Sequence, residues 1–149
     1  SPASDARGTL MSRQANSDSD TMLSHGMIEV ATDIYLAGAD PAPPYASPIT
    51  AYFTGLPPLL FTVSGEECLR DDAHAAAQCA RDAGVPVQVL ERDDMPHVWP
   101  VFTFLLPEAK QDFPTIVRLL GKYLTSNDVG KAPSQTVDAS DSDIVEVAS

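Results

Sequence analysis

Two short apolar runs, separated by an alanine-rich stretch, form the clearest pattern in the chain. The first run covers residues 59–63 between Pro58 and Gly65, and the second covers residues 85–90 after Gly84. Short continuous apolar runs are typical of strands that are covered on both faces, as in a parallel sheet. The pattern therefore predicts two buried strands.

The stretch between the two runs predicts a helix. Asp71 and Asp72 place acidic side chains at its positive end, and Gly84 provides a stop signal. Small residues at helical spacing give it a narrow packing face, namely Ala73, Ala76, Ala77 and Ala80. A strand, a helix and a strand of this length predict a βαβ unit, whose loops leave the carboxyl ends of the strands.

The residues before this unit predict a loop, a helix and a connector. Residues 1–22 show no apolar period and predict a loop. Apolar residues then recur at helical spacing and predict one amphipathic helix that ends before Gly38; they are Leu23, Met27, Val30, Ala31, Ile34 and Tyr35. Six prolines in residues 38–58 predict a connector that cannot pair along its length.

The residues after the unit predict one more helix and a tail. A helical face over residues 108–124 is interrupted by Pro114, which predicts either a kink or a helix that begins near Asp112. Residues 125–149 carry acidic and small side chains with no period, which is typical of a disordered tail.

Composition narrows the possible partners. The net charge of −12 argues against nucleic acid, because phosphate binding needs a basic face. No apolar stretch approaches the roughly 18 residues of a membrane span. Cys68 and Cys79 lack CxxC or zinc spacing and are predicted to be reduced, which fits a cytoplasmic location. The histidines show no HxH or HExxH spacing, so neither a metal nor another cofactor is predicted.

Candidate chemistry lies where the two strands end. A carboxylate beside His97 would fix the imidazole tautomer and leave the other ring nitrogen free to take a proton from a hydroxyl. Glu67 and Asp71 are the two candidate acids; Glu67 is favoured because Asp71 is better placed to cap the helix. By itself, His97 has a simple alternative as a hydrogen-bonded loop histidine. His25 and His74 are expected to be solvated surface groups.

Two further observations bear on a hydrolase. None of the eight glycines is followed two residues later by serine, so the chain contains no GxSxG nucleophile motif. Trp99, Phe102 and Phe104 form an apolar cluster next to His97. Core packing is the favoured role for these aromatic residues, and lining an acyl pocket, above all by Trp99 and Phe102, is the alternative.

The phrases SPASD, DPAPPYASPI, GLPPLLFTVSGEECLRDDA, AGVPVQVLERDDMPHVWPVF and LPEAKQ follow one another along the chain. In this order, the sequence from Ser1 to about Leu124 resembles the carboxyl-terminal half of α/β-hydrolases of the hormone-sensitive-lipase type, which are carboxylesterases and lipases. The resemblance implies an α/β fold in which parallel strands with flanking helices form an incomplete sheet, with part of a helical cap. Residues 1–45 would be a loop and cap-like helical segment, residues 46–124 the core, and residues 125–149 the tail.

The same resemblance implies roles for individual residues. Glu67 falls on the triad acid, which is usually Asp, His97 falls on the triad histidine, and Asp71 falls on the second acid of the same phrase. The substitution of Glu for Asp leaves open which acid acts. The oxyanion loop and the nucleophilic serine of this family precede the SPASD phrase, so neither is expected in this chain.

The leading hypothesis is that the chain is part of a serine carboxylesterase that acts on small to medium acyl esters. In this hypothesis the chain is inactive alone, and an amino-terminal half in the same or a separate chain completes the enzyme. The alternative is a non-catalytic module of the same fold that binds a ligand. Retention of Glu67 and His97 argues against this alternative, since binding requires neither.

Overall fold

The computed structural model describes residues 1–125 and the residue pair Val145–Glu146. Its elements, in chain order, are helices α1 (Ser12–Ala15) and α2 (His25–Leu36), strand β1 (Leu59–Ser64), helix α3 (Arg70–Asp82), strand β2 (Val87–Arg92), helix α4 (Pro107–Thr125) and strand β3 (Val145–Glu146). Two short 3₁₀ turns lie at Pro48–Thr50 and Trp99–Val101.

Strands β1 and β2 pair in parallel with helix α3 between them, which confirms the predicted βαβ unit. The register pairs Leu59 with Val87 at one end and Ser64 with Arg92 at the other. β2 also pairs antiparallel with β3, and among the described residues β1 is the other edge of the sheet. The carboxyl ends of β1 and β2 therefore lie side by side, and the loops that follow them start from the same edge.

Helices cover both faces of the sheet, as the apolar runs predict. On one face, Val63 and Val89 pack against Ala73 and Ala77 of α3. On the other face, Leu90 packs against α4. The four alanines predicted to form the packing face of α3 are all buried. Their small side chains let the helix backbone approach the sheet closely.

Helix α2 forms where it is predicted, but the described part of the chain leaves most of its apolar face exposed. Ser24 caps its first turn by accepting a hydrogen bond from the Met27 N–H, and Ala37 ends it in the left-handed conformation just before Gly38. Only Ile28 of this helix is buried, whereas the side chains of Val30 and Ile34 are 60% and 75% exposed. The pattern thus predicted the helix correctly but could not identify what packs against it.

Other boundaries differ from the predictions. Residues 1–22 are not all loop, because Ser12–Ala15 forms the single turn α1. Helix α4 begins at Pro107 and continues through Pro114, so the expected start near Asp112 is wrong. Proline suits a first helical position, where its missing N–H has no intrahelical partner. The kink at Pro114 and the domain limits stay predictions. The predicted disordered tail lies outside the described residues, apart from Thr125 and β3.

Candidate active site

Glu67 and His97 come together at the carboxyl edge of the sheet, as their positions after β1 and β2 predict. The Oε2 atom of Glu67 lies 3.4 Å from Nδ1 of His97. The Glu67 side chain is 1% exposed and that of His97 is 18% exposed. Because this contact reaches Nδ1, Nε2 is the ring nitrogen that remains to exchange a proton with a substrate or a hydroxyl.

The loops that carry these two residues are tied to each other. The Asp94 N–H donates to Oε2 of Glu66 at 2.5 Å, and the Gly65 N–H donates to the Arg92 carbonyl at 3.2 Å. Gly65 lies so close to Asp93 that a Cβ atom at this position would collide with the Asp93 carboxylate. These contacts hold the acid-bearing loop against the histidine-bearing loop.

Ser1 is a second neighbour of the histidine. Its Oγ atom lies 3.0 Å from Nδ1 of His97, closer than the Glu67 carboxylate. The other Glu67 oxygen, Oε1, is buried and has no hydrogen-bond partner in the part of the chain that the structure describes. The histidine thus has two oxygen neighbours at Nδ1, while the carboxylate that faces it keeps one oxygen unsatisfied.

The residue that follows Glu67 is a buried cysteine. Burial and the nearby carboxylate of Asp20 raise the pKa of the adjacent Cys68 thiol to about 11. Cys68 is fully buried, and its thiol donates to the Leu23 carbonyl. Both cysteines are free thiols, as predicted; Cys79 is partly exposed.

Asp71 lies outside the Glu67–His97 pair, and it does not cap helix α3. The residue preceding the helix is Leu69, and no side chain caps it from that position. Asp71 instead exchanges two hydrogen bonds with Ser12, accepting from the Ser12 N–H and donating its own N–H to the Ser12 hydroxyl, each at 2.9 Å. The expected cap is therefore wrong, because a side chain from α1 satisfies the first turn of α3.

Asp72 anchors the first residues of the chain beside the site. Its buried carboxylate accepts from the backbone N–H groups of Ser4 and Asp5 at 2.7 and 3.1 Å. Arg13 reaches the same carboxylate with Nε at 2.9 Å and Nη2 at 2.5 Å. Burial raises the pKa of Asp5, but hydrogen bonds from Arg7 and Thr9 together lower it to about 2. This network fixes the segment that carries Ser1.

The aromatic residues after His97 separate into different environments. Trp99 is 2% exposed, and its indole N–H donates to Oδ2 of Asp112 at 3.1 Å. Phe102 is half-buried, and Phe104 is 84% exposed. A cavity of about 640 Å³ lies between residues 6–14 and helix α2, and none of these aromatic residues lines it. Their part in an acyl pocket stays a prediction.

The other two histidines are partly exposed, and each has a carboxylate neighbour that the sequence analysis did not predict. Nε2 of His74 lies 2.9 Å from Oε2 of Glu91, and Nε2 of His25 lies 3.4 Å from Oε1 of Glu29. Their side chains are only 28% and 33% exposed. A histidine in an amphipathic stretch does not reveal its partner when that partner is on another element, as Glu91 is for His74.

The described residues contain neither a cluster of metal ligands nor a membrane-spanning helix. They contain no group of three or more His, Cys, Asp and Glu side chains that could hold a metal ion. Over the same residues, no helix combines the length and apolar character of a membrane-spanning segment.

The parallel βαβ unit, with an acid and a histidine after successive strands, agrees with what is known of similar proteins. The sequence profile of the α/β hydrolase fold family matches residues 1–101. The crystal structure of an esterase from the bacterial hormone-sensitive lipase family superposes with a TM-score of 0.77 and 40% identity. The chain therefore belongs to the α/β hydrolase family and is of the hormone-sensitive-lipase type.

Two further relatives agree with this assignment. EstE5, whose crystal was soaked in ethyl alcohol, superposes with a TM-score of 0.78 at 36% identity. An acetyl-hydrolase from Streptomyces hygroscopicus is 51% identical over 77 residues, which make up 52% of this chain. The chain covers 42% of EstE5, 41% of the hormone-sensitive-lipase-family esterase and 26% of the acetyl-hydrolase. It thus spans less than half the length of these relatives.

Sequence reasoning missed several residues around the site. The neighbours Ser1, Ser12, Arg13 and Asp112 were not predicted, although Ser1 belongs to the SPASD phrase. No periodicity marks them, since each contacts a residue far away along the chain. The DD pair at Asp71 and Asp72 was a visible signal, but it suggested a helix start and not a buried anchor.

Proposed function

We propose that this chain provides the acid and the histidine of a serine carboxylesterase that hydrolyses small to medium acyl esters. The contact between Glu67 and His97 at Nδ1 carries the proposal, because it orients the ring and leaves Nε2 for proton transfer. The esterases among the similar structures support the class of reaction. A small-molecule ester is then the substrate, and a cytoplasmic location remains part of the proposal.

In this mechanism a serine from sequence upstream, in the same or a separate chain, attacks the ester carbonyl carbon. Nε2 of His97 takes the serine proton and then gives it to the departing alcohol, which leaves an acyl-enzyme. Water, deprotonated by the same nitrogen, attacks the acyl-enzyme; Nε2 then returns this proton to the serine oxygen as the bond to the acyl carbon breaks and the carboxylic acid leaves. Glu67 orients His97 and stabilises its charged form during both steps.

Asp71 is the less suitable acid. Its carboxylate accepts from the Ser12 N–H, and Arg70 lies 3.9 Å away. Glu67 faces the imidazole directly and has a longer side chain than the aspartate usual in this family. The longer side chain still reaches the ring, so the substitution is compatible with the same role.

The test uses the chain alone and a chimera. Residues 1–149 alone are expected to give no hydrolysis of p-nitrophenyl butyrate above that of the His97→Ala variant, because the chain has no GxSxG serine. A chimera that joins the amino-terminal part of EstE5, up to its counterpart of Ser1, to residues 1–149 is expected to hydrolyse the ester.

Two results would contradict the proposal in different ways. His97-dependent hydrolysis by the chain alone would show that no upstream serine is needed. A folded but inactive chimera would favour the non-catalytic module that binds a ligand. Reading the coding sequence upstream of Ser1 provides an independent check, since the proposal expects an HGGG phrase and a GxSxG phrase there or in a co-purifying chain.

A further inference from the structure

The loop that carries His97 is held at both ends by one buried carboxylate. Asp112, on helix α4, is 1% exposed. Nη1 of Arg92, the last residue of β2, donates to its two oxygens at 2.8 and 3.1 Å. The indole N–H of Trp99 donates to Oδ2 from the other end of the loop. Asp112 thereby bridges the residue that starts this loop and the residue that ends it.

The loop contains a strained residue immediately after the histidine. Val98 adopts the left-handed conformation, with φ 54° and ψ 31°. A β-branched residue in that region is a steric outlier, and it persists only when surrounding contacts hold it there. The Trp99 N–H donates to the Pro96 carbonyl at 3.1 Å, closing a turn over His97 and Val98. The direction of the His97 ring therefore depends on the backbone of Val98.

Asp112 makes charge-assisted hydrogen bonds to Arg92, where this loop begins, and to Trp99, where it ends. Charge-assisted pairs, above all those with arginine, are stronger and more directional than neutral hydrogen bonds. Loss of the Arg92 guanidinium would leave the buried charge of Asp112 uncompensated, and loss of the Trp99 indole N–H would leave Oδ2 with one donor fewer. The carboxylate therefore opposes the relaxation that Val98 favours.

We propose that Asp112 is a positioning residue, which acts through Trp99 and Arg92 to hold Val98 in its strained conformation and so keeps Nδ1 of His97 facing Glu67. This inference rests on the proposed function, in which the contact between Glu67 and His97 orients the imidazole. Asp112 touches neither His97 nor Glu67, so its effect is transmitted through the loop.

The test reads the imidazole directly and needs no activity. Two-bond ¹H–¹⁵N NMR spectra of the 149-residue chain at pH 8.5 give the ratio of the Nδ1–H to the Nε2–H tautomer of His97. Asp112→Asn removes the charge of the proposed positioning residue. Trp99→Phe removes the indole N–H but keeps an aromatic ring, and it replaces Asp112→Asn in the test if that variant does not fold. Asp82→Asn, at an exposed carboxylate on α3, is the matched control.

Glu67→Gln is expected to lower the tautomer ratio about tenfold, since a charge-assisted acceptor is lost. Trp99→Phe and Asp112→Asn are expected to lower it about threefold, in line with the loss of one hydrogen bond, and Asp82→Asn should leave it unchanged. Adding Val98→Gly to Trp99→Phe should restore at least half of the loss, because glycine adopts the left-handed conformation without strain.

The outcomes separate this inference from the proposed function. An unchanged ratio in Glu67→Gln would remove the basis of the proposed function. A response to Glu67→Gln with none to Trp99→Phe or Asp112→Asn would overturn only the role of Asp112. A ratio in the double variant that stays as low as in Trp99→Phe would overturn the action through Val98.

Discussion

Two histidine–carboxylate pairs, one within the βαβ unit and one at its carboxyl edge, differ in how the carboxylate is satisfied. Glu91 uses both oxygens, accepting from Nε of Arg70 at 2.6 Å and lying 2.9 Å from Nε2 of His74. The hydrogen bond to Glu91 raises the pKa of Arg70. Glu67 contacts His97 with one oxygen, and its other oxygen has no partner among the described residues.

This difference separates a structural ion pair from a pair suited to catalysis. The charge of Glu91 is already compensated by Arg70, so His74 adds little to it. Among the described residues, Glu67 makes no ion pair with arginine or lysine, and its carboxylate contacts the imidazole of His97. A carboxylate of that kind can stabilise a positive charge that develops on the histidine during a reaction.

The largest expected effect distinguishes the two histidines. In the EstE5 chimera, His97→Ala should lower kcat/KM for p-nitrophenyl butyrate by at least about 10³-fold, because the proton-transfer group is lost. His74→Ala, the matched control, should stay within about threefold of the parent, since His74 lies outside the Glu67–His97 pair and Arg70 still compensates the charge of Glu91. Steady-state hydrolysis rates measure both. Equal losses of kcat/KM in the two variants would show that the His97 and His74 pairs do not differ in function.

The next effect tests the burial of the Cys68 thiol, which lies next to Glu67 in the chain. The pKa of the Cys68 thiol, about 11 instead of 9.0, leaves about 100-fold less thiolate near pH 8. In a Cys79→Ser variant, iodoacetamide should therefore label Cys68 about 100-fold more slowly in the folded chain than in urea. Because folding raises the pKa of the Cys68 thiol, the contribution of this group to the free energy of unfolding should decline as pH rises from 9 to 11. Equally rapid labelling of the folded and the unfolded chain would show that the Cys68 thiol is open to solvent.

The smallest effect concerns stability. Glu91→Gln should lower the free energy of unfolding by about 1 kcal/mol, because the mostly buried carboxylate loses its charge-assisted bond to the partly exposed Arg70. Glu67→Gln should leave the free energy of unfolding unchanged or slightly raised, since it removes a buried charge that makes no ion pair with arginine or lysine among the described residues. Urea unfolding followed by circular dichroism compares them. A larger loss in Glu67→Gln than in Glu91→Gln would reverse the assignment of roles.

The predictable part of the molecule is the part encoded by neighbouring residues. The apolar runs and the alanine spacing predicted β1, α3 and β2, and the topology rules then placed Glu67 and His97 at one edge of the sheet. Helix α2 was also predicted, but its exposed apolar face shows that periodicity indicates a helix without identifying the surface that covers it.

The sequence by itself therefore determined the βαβ unit, the two residues at its carboxyl edge and the family likeness. Only the tertiary structure decided that Ser1 and Glu67 share one nitrogen of His97, that Asp71 pairs with Ser12, and that Asp112 bridges the ends of the histidine loop. Secondary structure follows from local spacing, whereas these hydrogen bonds join residues on different elements. Such partners are fixed by the packing of those elements, which no short stretch of sequence specifies.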